Sequence, residues 1–311
     1  MSFERTTARV IFKPWGRYDL GPWNGDGYQG AVGELLFERT DPQTPDPSLL
    51  LKLLFTRQDL SIQVHPDDDC AKKMGMANGK TEAWYVLAAD EDARVGIGLG
   101  RPLTKTELKN SIADGSIADL VDWRIAGAGD AFFVKAGTIH GIGAGLVIAE
   151  IQQRSDTTFR LFDHGRSRDL HADQAVVVAD LALTKPDAIP INLTVERIKL
   201  VSCPFFVFER VDLPPKTAWE IQVECETWAL VIGGEATIGF MRARVGDAFY
   251  ADEGKTAVAV GGNGVTILLA YAASIPYPNL LRELDDEVTK PRAIDQAKSV
   301  VLPFGSTEIR L

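Results

Sequence analysis

From Ala8 to Tyr271 the chain is written in short apolar runs, among them ARVIF, LLLKLLF, LSIQV, TEAWYVL, ARVGIGL, DAFFV and GLVIAEIQQ. Most hold about four to eight residues rich in Val, Ile, Leu and aromatics, and Gly, Asp or Pro closes them, which is the pattern of β-strands. Helices are expected in three places only. DDDCAKKMGMA covers 67–77, TKTELKNSIADG covers 104–115 after a threonine able to cap it, and YPNLLRELDDEVTK covers 277–290. QAVVVADLAL, between them, reads as another strand.

The polar segment LTKPDAIP at 183–190, with its two prolines, looks like a linker. Beyond it a second series of runs, including PFFVFERVDL, AWEIQVE, WALVIGG and VTILLAYAA, repeats turn signals at roughly 8–12 residues, the spacing of sandwiches and barrels. An all-β fold in two units follows, 1–182 and 191–311. The halves share a local repeat: GDAFFVKAGTIH from Gly129 to His140 and GDAFYADEGKTA from Gly246 to Ala257. Two copies of one β-unit explain it, and the repeat aligns His140 with Ala257. The chain has 4 histidines, all before residue 172. Histidine chemistry therefore belongs to the first unit.

Charge narrows the function classes. With 43 acidic against 33 basic residues the formal net charge is -10, and no Lys/Arg cluster offers a footprint for nucleic acid. A small anionic substrate is still compatible, because a few cations can dominate one pocket. The 3 cysteines, Cys70, Cys203 and Cys225, form no CxxC pair and suggest neither a disulfide framework nor a cysteine metal site. The opening MSFERTTARVIFKPWGRYDL lacks a signal-peptide apolar run, and no stretch is long enough to span a membrane, so a cytoplasmic protein is expected.

The stretch LSIQVHPDD places Gln63 and His65 two apart, on one face of a strand, with Ile62 and Val64 on the other. The same alternation in GKTEAWYVL puts Lys80, Glu82 and Trp84 together. His140 follows a glycine turn that can aim its side chain inward. A glutamine oxygen, two imidazoles and a carboxylate make a ligand set for a divalent metal with a position left open. Zinc suits it best, while iron, manganese or cobalt would also be accepted. The competing reading has His65 and His140 as separate histidines, each satisfied by the backbone.

QVHPDD, GKTEAWYVL, AGTIHGI and EIQQRSDTTFRLFDHGR together, in this order, resemble the class I mannose-6-phosphate isomerases, which are cupin-fold metalloenzymes. The likeness covers roughly residues 10–275 and fits the shorter bacterial type, without the helical insertion of larger members. It implies two cupin-like β-barrels of jelly-roll type with a few short helices, the second lacking metal ligands. It also implies one Zn2+ held by Gln63, His65, Glu82 and His140, with Arg160 in the active site and Lys80 close to the metal. Lys135 stands where the general cupin pattern has a proline.

The activity so implied is interconversion of mannose 6-phosphate and fructose 6-phosphate through a cis-enediol, with a small-molecule hexose phosphate as substrate and neither nucleic acid nor membrane as partner. No nicotinamide or flavin is required, and no GxGxxG follows a strand. Lys80 is a candidate proton carrier, although an ordinary lysine with a pKa of about 10.4 is a poor base near neutrality. Arg160, permanently charged, suits an enediolate or a phosphate oxygen, the competing reading being an ion pair with Asp163. Lys13, Lys135, Arg154 and Arg166 are candidate phosphate anchors, and Trp15 and Trp84 candidate core. A cupin acting on another sugar, or one that only binds a sugar phosphate, would use the same residues differently.

Overall fold

The computed structural model describes residues 3–23, 28–41, 43–183 and 189–284. The first half contains β1 (Glu4–Arg5), β2 (Thr7–Arg17), β3 (Val32–Glu38), β4 (Leu49–Phe55), β5 (Ile62–Val64), α1 (Asp68–Lys73), β6 (Glu82–Ala89), β7 (Arg94–Leu99), α2 (Lys105–Asp114), α3 (Ile117–Leu120), β8 (Val121–Ile125), β9 (Ala131–Val134), β10 (His140–Ile142), β11 (Leu146–Gln153), β12 (Phe159–Phe162) and α4 (Ala172–Val178). The second contains β13 (Ile191–Asn192), β14 (Arg197–Ser202), β15 (Val207–Leu213), β16 (Ala218–Val223), β17 (Thr227–Ile238), β18 (Met241–Arg244), β19 (Ala248–Ala251), β20 (Gly254–Tyr271) and β21 (Leu281–Glu283).

Two sheets close around the first interior, one ordered β2-β3-β4-β11-β6-β9 and the other β12-β5-β10-β7-β8. Trp15, Leu54, Trp84, Val86 and Ile148 from the former meet Val95, Ile97 and Ile142 from the latter. The back of the five-stranded sheet, with Ile62 and Val64, is covered by Leu108 and Ile112 of α2 and Ala175 of α4. The back of the six-stranded sheet, with Leu53, Ala83, Tyr85 and Ile151, packs on Phe208, Trp228 and Leu268 of the second half. Both faces of β4 and β11 are thus covered, which is why LLLKLLF and LVIAEIQQ are buried along their whole length.

The nine strands of the second half, joined by β1, form one ten-stranded sheet curled about its own apolar interior, including Val207, Val231, Phe249, Val258 and Ile267. Strand β1 reaches this sheet by pairing with β19, Glu4 opposite Tyr250 and Arg5 opposite Phe249. The architecture is the two-barrel, predominantly β one expected of cupins.

The repeat is a structural one: β9 and β19 each follow a glycine of positive φ, Gly129 at 97° and Gly246 at 90°. Its last positions differ in setting, His140 being buried. Ala257 is exposed while Thr256 and Val258 are buried, and Val258 belongs to the second interior. The position that the repeat sets against His140 therefore faces away from the second interior.

Two element expectations are also corrected. The described part of 277–290 is extended, not helical: Leu281 and Glu283 pair with Ile221 and Trp219, Leu280 is buried, and Tyr277 stacks on Tyr271 at 5.1 Å. QAVVVADLAL contributes the helix α4 instead of a strand, because Ala172, Ala175, Val176 and Ala179 meet the five-stranded sheet at helical spacing. The 67–77 helix forms only over Asp68–Lys73, capped by Asp67. The 104–115 helix forms as expected, with a Thr104–Glu107 capping box and Gly115 at φ 83° closing it. Most of the linker and the tail from 287 lie outside the described residues.

Candidate metal centre and cavity

The strand alternation brings four predicted ligands to one place. His140 in β10 is the direct cross-strand partner of Gln63 in β5, which in turn pairs with Arg160 in β12. His65 follows β5 and Glu82 opens β6. His65, Glu82 and His140 are each 1% exposed, and their ligand atoms lie within 4.8 Å of one another.

Each imidazole has one nitrogen satisfied by backbone, as the competing reading required, and the other turned to the cluster. His65 Nδ1 donates to the Thr157 carbonyl at 2.8 Å, and His140 Nδ1 to the Thr138 carbonyl at 2.9 Å. That fixes the tautomer with a lone pair on both Nε2 atoms. These stand 3.6 and 3.4 Å from the two Glu82 oxygens. Burial, and then the charge of Lys80, holds the His65 pKa well below the ordinary imidazole value; burial brings His140 down to about 4. Both rings are neutral at pH 7, the form that ligates.

The buried Glu82 carboxylate is paired through Oε2 with Lys80 Nζ at 2.8 Å, and Lys80 Nζ also lies 3.0 Å from His65 Nε2. A buried carboxylate with one ammonium partner, facing two imidazole lone pairs, is a donor set suited to a cation. Gln63 lies beside it, its Nε2 3.3 Å from His140 Nε2, and rotation of the amide by a half-turn would present Oε1 instead. The residues fit a divalent cation.

Gln63 and Lys80 also line a cavity of about 800 Å³, together with Trp15, Lys52, Glu150 and Arg160. Arg160 Nη1 donates to the Asp169 carbonyl at 2.8 Å, while its buried Nε has no partner. Burial, and then the charge of Arg168, lowers its pKa. The Asp163 ion pair weighed for Arg160 goes elsewhere, to Arg166 at 3.0 Å and Arg168 at 2.5 Å. Of the candidate phosphate anchors only Lys13 lines the cavity, and it is paired with Glu34 at 3.2 Å. Arg168, not among them, lines it too, whereas Lys135, Arg154 and Arg166 do not.

Glu150 and Lys52 were missed. They face each other across β11 and β4, with Lys52 Nζ 3.8 Å from Glu150 and Trp84 Nε1 donating to Glu150 at 3.1 Å. Burial, and then the nearby Glu82 charge, raises the Glu150 pKa. A charged residue inside each of two otherwise apolar runs was the available signal. A second cavity of similar volume, lined by Arg17, Trp23, Arg57 and Asp90, holds none of these groups.

No protein-family model matches the chain. In sequence it is 42% identical over 168 residues to the mannose-6-phosphate isomerase of Streptococcus mutans serotype c, covering 51% of this chain and 52% of that one. It is 39% identical over 140 residues to the mannose-6-phosphate isomerase ManA of Bacillus subtilis, covering 43% and 44%. The chain spans about half the length of these sequence relatives. In structure it matches a mannose 6-phosphate isomerase from Bacillus subtilis with a TM-score of 0.76 and 22% identity, over 87% of this chain and 100% of that one. A variant of the phosphomannose isomerase from Salmonella typhimurium matches with a TM-score of 0.70 and 14% identity, over 88% and 100%. The chain is therefore similar to mannose-6-phosphate isomerases in sequence over about half its length and in fold over most of it.

Proposed function

We propose that the chain is a metal-dependent isomerase interconverting mannose 6-phosphate and fructose 6-phosphate, its metal Zn2+ held by Gln63, His65, Glu82 and His140. The observation that carries the reading is the buried Glu82 carboxylate facing two neutral imidazoles, beside Gln63 and Lys80, which line a cavity together with Arg160. The sequence relatives from Streptococcus mutans and Bacillus subtilis, both mannose-6-phosphate isomerases, support the same chemistry.

The reaction moves a carbonyl from C1 to C2. A base takes the C2 proton, its electron pair forms the C1–C2 double bond, and O1 takes a proton to give the cis-enediol. O2 then gives up its proton as C1 gains one. A bound divalent cation supplies Lewis-acid polarisation of the substrate oxygens and offsets the negative charge that develops.

The chain's own groups divide the remaining work. Burial opposes the charge on Lys80, but Glu82 and Glu150 outweigh it and raise its pKa, so Lys80 begins as an ammonium. With Glu82 engaged in ligation Lys80 loses that support and becomes able to exchange a proton. Glu150, its own pKa raised, is a second proton acceptor on the cavity wall. Arg160 lines the cavity and offers its guanidinium charge to an oxyanion, and Arg168 adds charge for the phosphate end.

An isomerase assay on protein of measured metal content tests this. Wild type should turn over with one metal per chain, His140→Ala should lose metal and activity together, and Arg160→Ala should lose activity with its metal kept. Metal-replete wild type with no turnover of mannose 6-phosphate would remove the isomerase and leave the metal-binding cupin.

A further inference from the structure

Lys80 lies outside β6, in the loop that precedes it, yet its ammonium is placed against two ligand side chains. The loop owes this to an unusual density of anchors. Three successive amides are tied down: Gly79 N–H donates to Asp68 Oδ1 at 2.8 Å, Lys80 N–H to the Pro66 carbonyl at 3.0 Å, and Thr81 N–H to Gln153 Oε1 at 2.9 Å. Gln153 closes the circuit, since its Nε2 donates to the same Asp68 Oδ1 at 3.0 Å. Its side-chain amide therefore has both ends fixed.

The loop is also pressed against the segment that follows His65. A Cβ at Gly79 would lie 2.6 Å from the Asp67 carbonyl carbon and 2.7 Å from Asp68 N, so only glycine allows this approach. Gln153 itself is 7% exposed and ends β11, the strand that carries Glu150. One rigid strand end thus references the loop of Lys80 to the backbone beside His65.

We infer that Gln153 and Asp68 are positioning residues for Lys80, acting through the Gly79–Thr81 backbone to hold its ammonium between His65 and Glu82. The inference rests on the isomerase reading for its consequence in turnover. Its structural content, that Lys80 is held by these two side chains, is testable without activity.

The experiment compares full-length, metal-loaded wild type with Gln153→Leu, which removes both hydrogen bonds at nearly constant volume, and Gln153→Glu, which keeps only the acceptor for Thr81. Four quantities are read: kcat, KM, metal per chain, and the acetylation rate of Lys80 by acetic anhydride, referenced by mass spectrometry to exposed Lys105. For Gln153→Leu, kcat should fall roughly 10- to 100-fold, as small misplacements of an acting group do, with KM within about threefold and metal content unchanged. Lys80 should become several-fold more reactive than in wild type. Gln153→Glu should fall between the two in both kcat and labelling.

An unchanged Lys80 labelling rate in Gln153→Leu overturns the inference, and so does a loss of kcat that only follows loss of metal. Should Gln153→Leu fail to fold, Gln153→Glu and Asp68→Ala carry the same comparison. Wild type inert on sugar phosphates would sink the isomerase reading alone, with the labelling rates still deciding whether Gln153 holds Lys80.

Discussion

His140 and Gln63 stand directly opposite one another across the β5–β10 ladder, their Nε2 atoms 3.3 Å apart. The register of one short antiparallel pair therefore sets two of the four proposed ligands at once, while Glu82 arrives from the opposing sheet. A site built across two facing sheets is rigid only as long as both are closed around it, and this gives its parts separable roles.

His140→Ala removes a ligand but leaves the ladder intact, because β10 pairs through its backbone with both β5 and β7. The expected result is a fall in zinc affinity of more than about 100-fold, beyond what loss of a supporting partner brings, with the folded state retained. Competition with a chromophoric chelator measures the first and far-ultraviolet circular dichroism the second. Undiminished affinity would place the metal elsewhere.

Glu82→Gln separates ligation from charge balance. Lys80 and Glu82 have side chains 7% and 1% exposed and form a buried pair in the metal-free chain, so replacing the carboxylate leaves a buried ammonium unpaired. The metal-free variant should lose roughly 3–5 kcal/mol of stability. Urea unfolding in the presence of chelator reads this, and a loss below about 1 kcal/mol would mean that Lys80 escapes to water.

Acid should weaken the metal-free fold through His140. Its folded pKa, about 4, lies below the ordinary imidazole value of 6.5, so the unfolded chain binds more protons between these values. Stability is then complete above about pH 6.5 and declines as pH falls toward 4, by roughly 3 kcal/mol from this residue. Unfolding midpoints across that window, compared with His140→Gln, isolate the contribution; equal slopes would refute it.

The legibility of the site followed the physics of strands. Gln63 with His65, and Glu82 with Trp84, could be read from a period of two, since an alternating polar position in an apolar run must face something polar. His140 was legible from its glycine turn. Glu150 and Lys52 were not, because each looks like an isolated charge until β11 is laid beside β4 and the two prove to be partners. Tertiary pairing also overrode local preference at 281–283, where a charged, leucine-bearing stretch joins β16 as a strand, and in α4, whose valines suggested a strand but pack as a helix on the five-stranded sheet. Gln153 and Asp68 meet only in three dimensions, 85 residues apart along the chain.

The second interior supplies a prediction independent of the proposed chemistry. Arg197 donates from Nε and Nη2 to the two oxygens of Glu209, each at 2.9 Å, and Tyr271 O–H donates to Glu209 Oε1 at 2.5 Å. Arg197 and Glu209 are 2% and 0% exposed, and the Tyr277 N–H donates to the Tyr271 hydroxyl at 3.2 Å, which ties the strand leading to β21 into the same network. Glu209→Gln leaves the guanidinium buried without its counter-charge and should cost about 3–5 kcal/mol. The ligand cluster draws none of its residues from this sheet, so metal bound per folded chain should stay at the wild-type value. Calorimetric unfolding paired with metal analysis at a temperature where the variant is folded checks both halves. Loss of metal from the folded variant would show that the second barrel shapes the site, and not only the stability of the chain that carries it.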